Sequence, residues 1–151
     1  CPPSLGLLPL YALVAADDVM LPIQCEYYAL EGVTQLMRTI EAVRHAMNKG
    51  LRLGSILMTM FDGRTRLSTQ VDEEVRTHFA RETMMTRIPR AVRVSDAPSY
   101  SRSVLTYAPT SAGAVAYREA AAEFARRHAG DDHSTETSVV EHHDASDTKE
   151  G

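Results

Sequence analysis

The residues predict an α/β fold in which a parallel sheet is flanked by helices. Three observations carry this. Stretches with helical apolar spacing alternate with short apolar runs of strand length. One run, "LGSILMTMF" from Leu53 to Phe61, is continuously apolar, as a strand covered on both faces should be. The chain has 151 residues, 44% of them hydrophobic, enough for one core and too few for two domains.

Taken in order, Leu5 to Ala16 reads as a short, mostly buried helix with Ser4 as its N-cap. "DVMLPI", Asp18 to Ile23, is a brief apolar strand. From Ala29 to Asn48, apolar residues at Leu30, Val33, Leu36, Met37, Ile40, Val43, Ala46 and Met47 describe an amphipathic helix, with Gly50 at the expected C′ position. After the strand Leu53 to Phe61 and the loop "DGRTR", a second amphipathic helix runs from Leu67 to Ala80 through Val71, Val75 and Phe79. Thr83 to Ile88 is a strand ended by Pro89. Arg90 to Thr110 is loop-rich, with at most a short helical turn. Ser111 caps a last helix reaching about His128, with Tyr117 and Phe124 on its buried face. Residues 130–151 are acidic, polar and without period, and predict a disordered tail beyond a domain of residues 1–129.

Helices alternating with apolar strands imply parallel pairing through right-handed crossovers. Such folds begin with a strand. Here that strand would end just before Cys1, so the chain is expected to begin inside a domain.

From Gly130 on there are seven acids and one base, so the formal −4 of the whole chain is a property of the tail; the body carries 15 bases to 13 acids. Cys1 and Cys25 make no disulfide framework and suit a reduced cytoplasmic setting. The apolar stretch "LGLLPLYALVAA" is too short to span a membrane and lacks the basic flank of a signal peptide. His128, His133, His142 and His143 lie in or beside the tail without metal-ligand spacing, and Ser4, Cys25 and His45 make no hydrolase triad. Methionines such as Met58 and Met60 read as core filling.

"CPPSLG", "IQCEYYALEGVTQLMRTI", "MTMFDGRTRLSTQV", "IPRAVRVSDAPSYSRSV" and "YAPTSAGAVAYREAA" together closely resemble the ParA/Soj family of chromosome- and plasmid-partitioning ATPases, in that family's order and spacing over residues 1–127. The resemblance implies a P-loop NTPase fold of the deviant Walker A class. It further implies ATP and Mg²⁺ as cofactors, an ATP-dependent homodimer on nonspecific DNA, a ParB-type partner that stimulates hydrolysis, no membrane, and a cytoplasmic, nucleoid-associated location.

Carried over by position, Cys1, Pro2, Pro3 and Ser4 match the switch II turn. Pro89, Ala91 and Thr59 match the adenine rim, although Ala91 stands where many members carry asparagine and has no side-chain hydrogen bond to offer the base. Arg64 and Arg93 match DNA-touching positions, extended by Arg66, Arg90 and Arg102. Gln24, Glu26, Tyr27 and Tyr28 match a loop on the dimer side, and Asp62 reads as either a rim residue or a loop cap.

Hydrolysis needs a glycine-rich phosphate loop with a lysine. No GxxxxGK[ST] occurs, and the only lysines are Lys49 and Lys149. The chain therefore reads as the C-terminal portion of such an ATPase, inactive alone and with no catalytic residue of its own. A non-catalytic DNA- or partner-binding module is the alternative, and a MinD-like membrane-bound relative fits least, because the chain end is acidic. Lacking the first strands, such a segment is expected to aggregate or unfold with poor cooperativity by itself.

Overall fold

The computed structural model describes residues 6–136, and their side chains through Ala129. Three parallel strands form one sheet in the order β1 (Asp18–Gln24), β2 (Arg52–Phe61), β3 (Thr83–Pro89). Helix α1 (Leu7–Ala15) leads into β1, α2 (Ala29–Ala46) joins β1 to β2, and α3 (Arg66–His78) joins β2 to β3. Two short helices, α4 (Val92–Asp96) and α5 (Val104–Tyr107), flank a 3₁₀ turn at Ala97–Tyr100, and α6 (Ala112–Glu136) closes the described chain.

The strand periodicity of two sorts the core into layers. Ile56 and Met58 of β2 point to one face, where they pack with Ile23, Val33, Val71 and Val75 from β1, α2 and α3. Leu57 points to the other and meets Ala116 and Ala120 of α6 along with Met84 and Ile88. A third cluster packs Leu13 of α1 on Ile40 and Val43 of α2. The register of β1 on β2 slips at Gly54, between the pairs Val19 with Leu53 and Met20 with Ser55. A Cβ at position 54 would run into the Asp18 carboxylate, so the bulge takes glycine.

Several element ends differ from expectation. Helix α1 begins at Leu7 behind Gly6, and Ser4, expected as its cap, lies outside the described residues. Helix α2 ends before Gly50, with Met47 as C-cap. The amides of Met47 and Asn48 share the Val43 carbonyl, and the Asn48 side chain reaches the orphan carbonyls of Leu13, Val14 and Ala16 at the end of α1. Gly50 is therefore not the αL cap; no described glycine has positive φ.

Ser111 does cap α6, its Oγ accepting from the Ala114 amide at 3.3 Å. The buried stripe of α6 is small, Ala114, Ala116, Ala120 and Glu123, while Tyr117, expected inside, is 36% exposed. Alanines let the helix lie close on the sheet, and a tyrosine on that stripe would hold it off. The helix also continues past His128 to Glu136. A single glycine, Gly130, costs about 1 kcal/mol in a helix and does not by itself end one. The remainder of the expected disordered tail, residues 137–151, lies outside the described residues.

Candidate functional site

All three strands run the same way, so the segments after Gln24, Phe61 and Pro89 emerge together at the carboxyl edge of the sheet, the ligand-binding edge of open α/β folds. Every candidate residue within the described range belongs to this edge or to the helical segment that follows β3.

The Asp62–Arg66 loop is held by its own side chains. Asp62 Oδ1 accepts from the Arg64 amide at 3.1 Å and from Arg64 Nε at 3.0 Å, and Oδ2 accepts from Arg64 Nη2 at 2.9 Å. That fork, with the Arg64 amide, draws the Asp62 carboxyl down to about 2. Thr65 is the N-cap of α3, and its hydroxyl donates to the Asp62 carbonyl at 2.9 Å. Asp62 is thus the loop cap of the two readings the sequence left open. The Arg64 side chain is 90% exposed.

Arg90 follows β3, its amide on the Phe61 carbonyl at 2.9 Å and its guanidinium 3.5 Å from Glu26 after β1. Arg93 sits in α4 and Arg66 at the start of α3, both exposed and without an ion pair among the described residues. Arg102, also exposed, follows the 3₁₀ turn. Tyr27 and Tyr28 are 76% and 73% exposed and meet edge to face at 5.2 Å between ring centroids. One edge therefore presents Arg64 and Arg90, each facing a carboxylate, and Arg66 and Arg93, without an ion pair among the described residues, together with two exposed aromatic rings on the segment after β1.

The residues expected at an adenine rim divide. Pro89 pairs with Phe61 at the end of the sheet, and Ala91 is the residue before α4. Gly113 lets α6 approach here, since a Cβ on it would collide with Val94. The Thr59 donor is already used: its hydroxyl donates to the Ile23 carbonyl at 3.0 Å and ties β2 to β1. No cluster of three or more His, Cys, Asp or Glu suited to a metal occurs among the described residues. Cys1, Pro2, Pro3 and Ser4 lie outside the described residues.

Sequence reading missed three polar contacts. Glu123 of α6, 8% exposed, accepts from the Met85 amide at 2.7 Å, the Thr86 amide at 2.9 Å and the Thr86 hydroxyl at 2.7 Å. Arg127 adds a bond to the same carboxylate at 3.0 Å and also binds the carbonyls of Arg81, Glu82 and Thr83. Together they occupy main-chain groups along β3. His128, read as belonging with the tail, is fixed instead: Nε2 lies 2.6 Å from Asp18 Oδ2 and Nδ1 lies 3.0 Å from the Phe124 carbonyl. Asp72 of α3 joins Arg76 and Arg87 beneath the carboxyl edge. Only an i,i+4 charge pair, Asp72 with Arg76 or Glu123 with Arg127, hints at any of this in the sequence.

A family model described as an AAA domain matches residues 1–53. The chain is 52% identical over 126 residues to the chromosome-partitioning ATPase Soj of Thermus thermophilus, covering 83% of this chain and 51% of that protein. It is 49% identical over 125 residues to the sporulation initiation inhibitor protein Soj of Bacillus subtilis (83% and 49%), and 50% identical over 127 residues to the chromosome partitioning protein ParA of Caulobacter vibrioides (84% and 48%). It spans about half the length of the curated relatives it matches. Among solved structures, cobyrinic acid a,c-diamide synthase from Mycobacterium smegmatis with bound ADP and magnesium superposes with a TM-score of 0.59 at 39% identity, over 79% of this chain and 41% of that one. The three-stranded sheet with its helices is thus part of a P-loop NTPase fold. Among the described residues no helix is long and apolar enough to cross a membrane.

Proposed function

Because the chain belongs to the ParA/Soj family of chromosome-partitioning ATPases, we propose that it supplies the DNA-facing edge and the adenine-side rim of a partitioning ATPase. The observation that carries this is the convergence of Arg64, Arg66, Arg90 and Arg93 on the carboxyl edge of one parallel sheet. Arginines on ordered loops suit phosphate, a charge without base identity, so binding is nonspecific and salt-dependent. Pro89 and Ala91 line the base of ATP through apolar and backbone contact, while phosphate and Mg²⁺ chemistry is assigned to the whole protein, residues 1–151 having no GxxxxGK[ST].

In the whole protein, ATP favours a homodimer. The loop Gln24, Glu26, Tyr27 and Tyr28 lies on its dimer side, and a ParB-type partner regulates hydrolysis at the nucleoid within the cytoplasm. The test is DNA retention by the intact ATPase carrying this segment, with ATP and Mg²⁺ present. Arg64→Ala or Arg93→Ala should abolish retention while nucleotide affinity is unchanged. Unchanged DNA affinity in both variants at low salt refutes the assignment.

A further inference from the structure

Arg87 occupies a position that a strand facing a helix usually gives to an apolar residue. It leaves β3 towards α3, where its Nη2 donates to Asp72 Oδ2 at 2.6 Å. Its guanidinium carbon also lies 5.3 Å from the centroid of the Phe61 ring. Asp72 is 4% exposed, and its Oδ2 accepts a second bond from Arg76 Nε at 3.0 Å. Arg76 continues to the Met84 carbonyl at 2.9 Å, at the beginning of β3. One buried carboxylate oxygen therefore ties α3 to β3 at two heights, and one guanidinium ties both to the last residue of β2.

Those three attachment points are the roots of the two arginine loops. Phe61 directly precedes Asp62, Gly63 and Arg64, α3 begins at Arg66, and Arg87 lies three residues before Arg90. The end of β2 is also bent: Met60 has φ 54°, left-handed backbone that an unbranched side chain adopts only at a cost, and the β2–β3 register shifts between Met58 and Phe61. The bend is where Phe61 comes to lie under Arg87.

As a device for stability the cluster is poor. Among the described residues, neither Asp72 Oδ1 nor Arg87 Nε, both buried, has a hydrogen-bond partner. Orphan buried polar atoms are costly, and apolar side chains of similar volume commonly replace a buried ion pair without loss of stability. What apolar side chains do not reproduce is direction: the short Nη2–Oδ2 bond and the ring contact together fix angle and distance.

We infer that Arg87, held by Asp72, is a positioning residue that sets the separation of the Asp62–Arg66 and Arg90–Arg93 loops, so that one DNA duplex is met by both at once. This rests on the DNA-binding role proposed for the edge. Loops already at the right separation bind without the ordering cost that free loops incur.

The test uses the intact ATPase with ATP and Mg²⁺, a mixed-sequence DNA duplex, and affinity measured across a salt series. Asp72→Leu combined with Arg87→Leu removes the clasp and keeps the volume apolar. Arg76 keeps its bond to the Met84 carbonyl but loses its carboxylate, so the variant should melt somewhat lower than the parent while staying folded. It should bind DNA about threefold to tenfold more weakly, and show a log K against log salt slope reduced by about one, as one phosphate contact drops out. In that background Arg93→Ala should also cost less than it costs in the parent, because the loops no longer act together.

Arg87→Lys, which keeps the charge and loses the planar guanidinium that lies over Phe61 while bonding Asp72, repeats the test in a chain with less change to its core, and the same weakening and slope are expected. A folded variant of either kind with parental affinity and slope overturns the positioning role. If Arg64→Ala and Arg93→Ala weaken DNA binding and the clasp variants do not, only the clasp is refuted. If neither arginine variant weakens it, DNA binding by this edge is refuted as well.

Discussion

Replacing Glu123 by glutamine isolates the contact that joins α6 to β3. The carboxylate accepts four bonds at 2.7 to 3.0 Å, two of them from the main-chain amides of Met85 and Thr86. Burial raises the proton affinity of the carboxyl, but these bonds outweigh it and hold the group down from 4.5 to about 2. At about 1.4 kcal/mol for each tenfold change in proton affinity, that displacement is worth about 3 kcal/mol.

The hydrogen-bond count gives a similar figure. Glutamine turns one acceptor oxygen into a donor facing donors, leaving at least one buried amide unmade at about 1–3 kcal/mol, and weakens the charge-assisted bond from Arg127. Glu123→Gln should therefore lower stability by about 2–4 kcal/mol, read as a lower urea midpoint with unchanged slope in the protein carrying this segment. The sign with pH follows from the lowered folded value: the contribution is fully present above about 4.5 and is lost as pH falls through about 2. The parent should lose this increment of stability over that window and Glu123→Gln should not. A variant within about 0.5 kcal/mol of the parent, the usual scatter of surface substitutions, or one with the parent's acid sensitivity, would show that the carboxylate does not secure β3.

Further outcomes follow from two other contacts. Gly54→Ala sets a methyl against the Asp18 carboxylate and should break its 2.6 Å contact with His128, returning the imidazole towards its ordinary proton affinity in an NMR titration; an unchanged titration would disprove the coupling. The Phe124 carbonyl first, and Asp18 after it, raise the His128 proton affinity above 6.5. Its stabilising contribution is thus full below about 6.5 and lost as pH rises through the raised value, a loss that His128→Gln should remove from the melting profile. Burial, then Asp72, pushes the Cys25 thiol up to about 11, so peptide mapping after alkylation of the native protein at pH 8 should find Cys25 unmodified, and modification at the rate of a free thiol would contradict its buried setting.

Local chemistry made the order of elements readable in the chain. Periodicity near 3.6 or 2 and breakers such as Pro89 act within a few residues, so the alternation that places Arg64 and Arg93 after strands of one parallel sheet is legible from Asp18 to Ile88. Ser111 as a cap was legible for the same reason. Gly50 and Tyr117 misled because their positions are settled by packing: Asn48 reaches back to α1, and α6 lies too close to the sheet for a ring.

The candidate site shows the same division. Sequence alone determines which residues lie on the carboxyl-edge loops, since strand polarity and loop position follow from the order of elements. Only the tertiary structure decides their states: Arg64 forked by Asp62, Arg90 facing Glu26, and the Thr59 hydroxyl spent on β1. It alone joins Glu123 to β3, Asp72 to Arg87 and His128 to Asp18, partners 37, 15 and 110 residues apart. The reason is physical: a charged side chain chooses its partner by distance and burial in the folded molecule, and no periodic pattern along the chain records that choice.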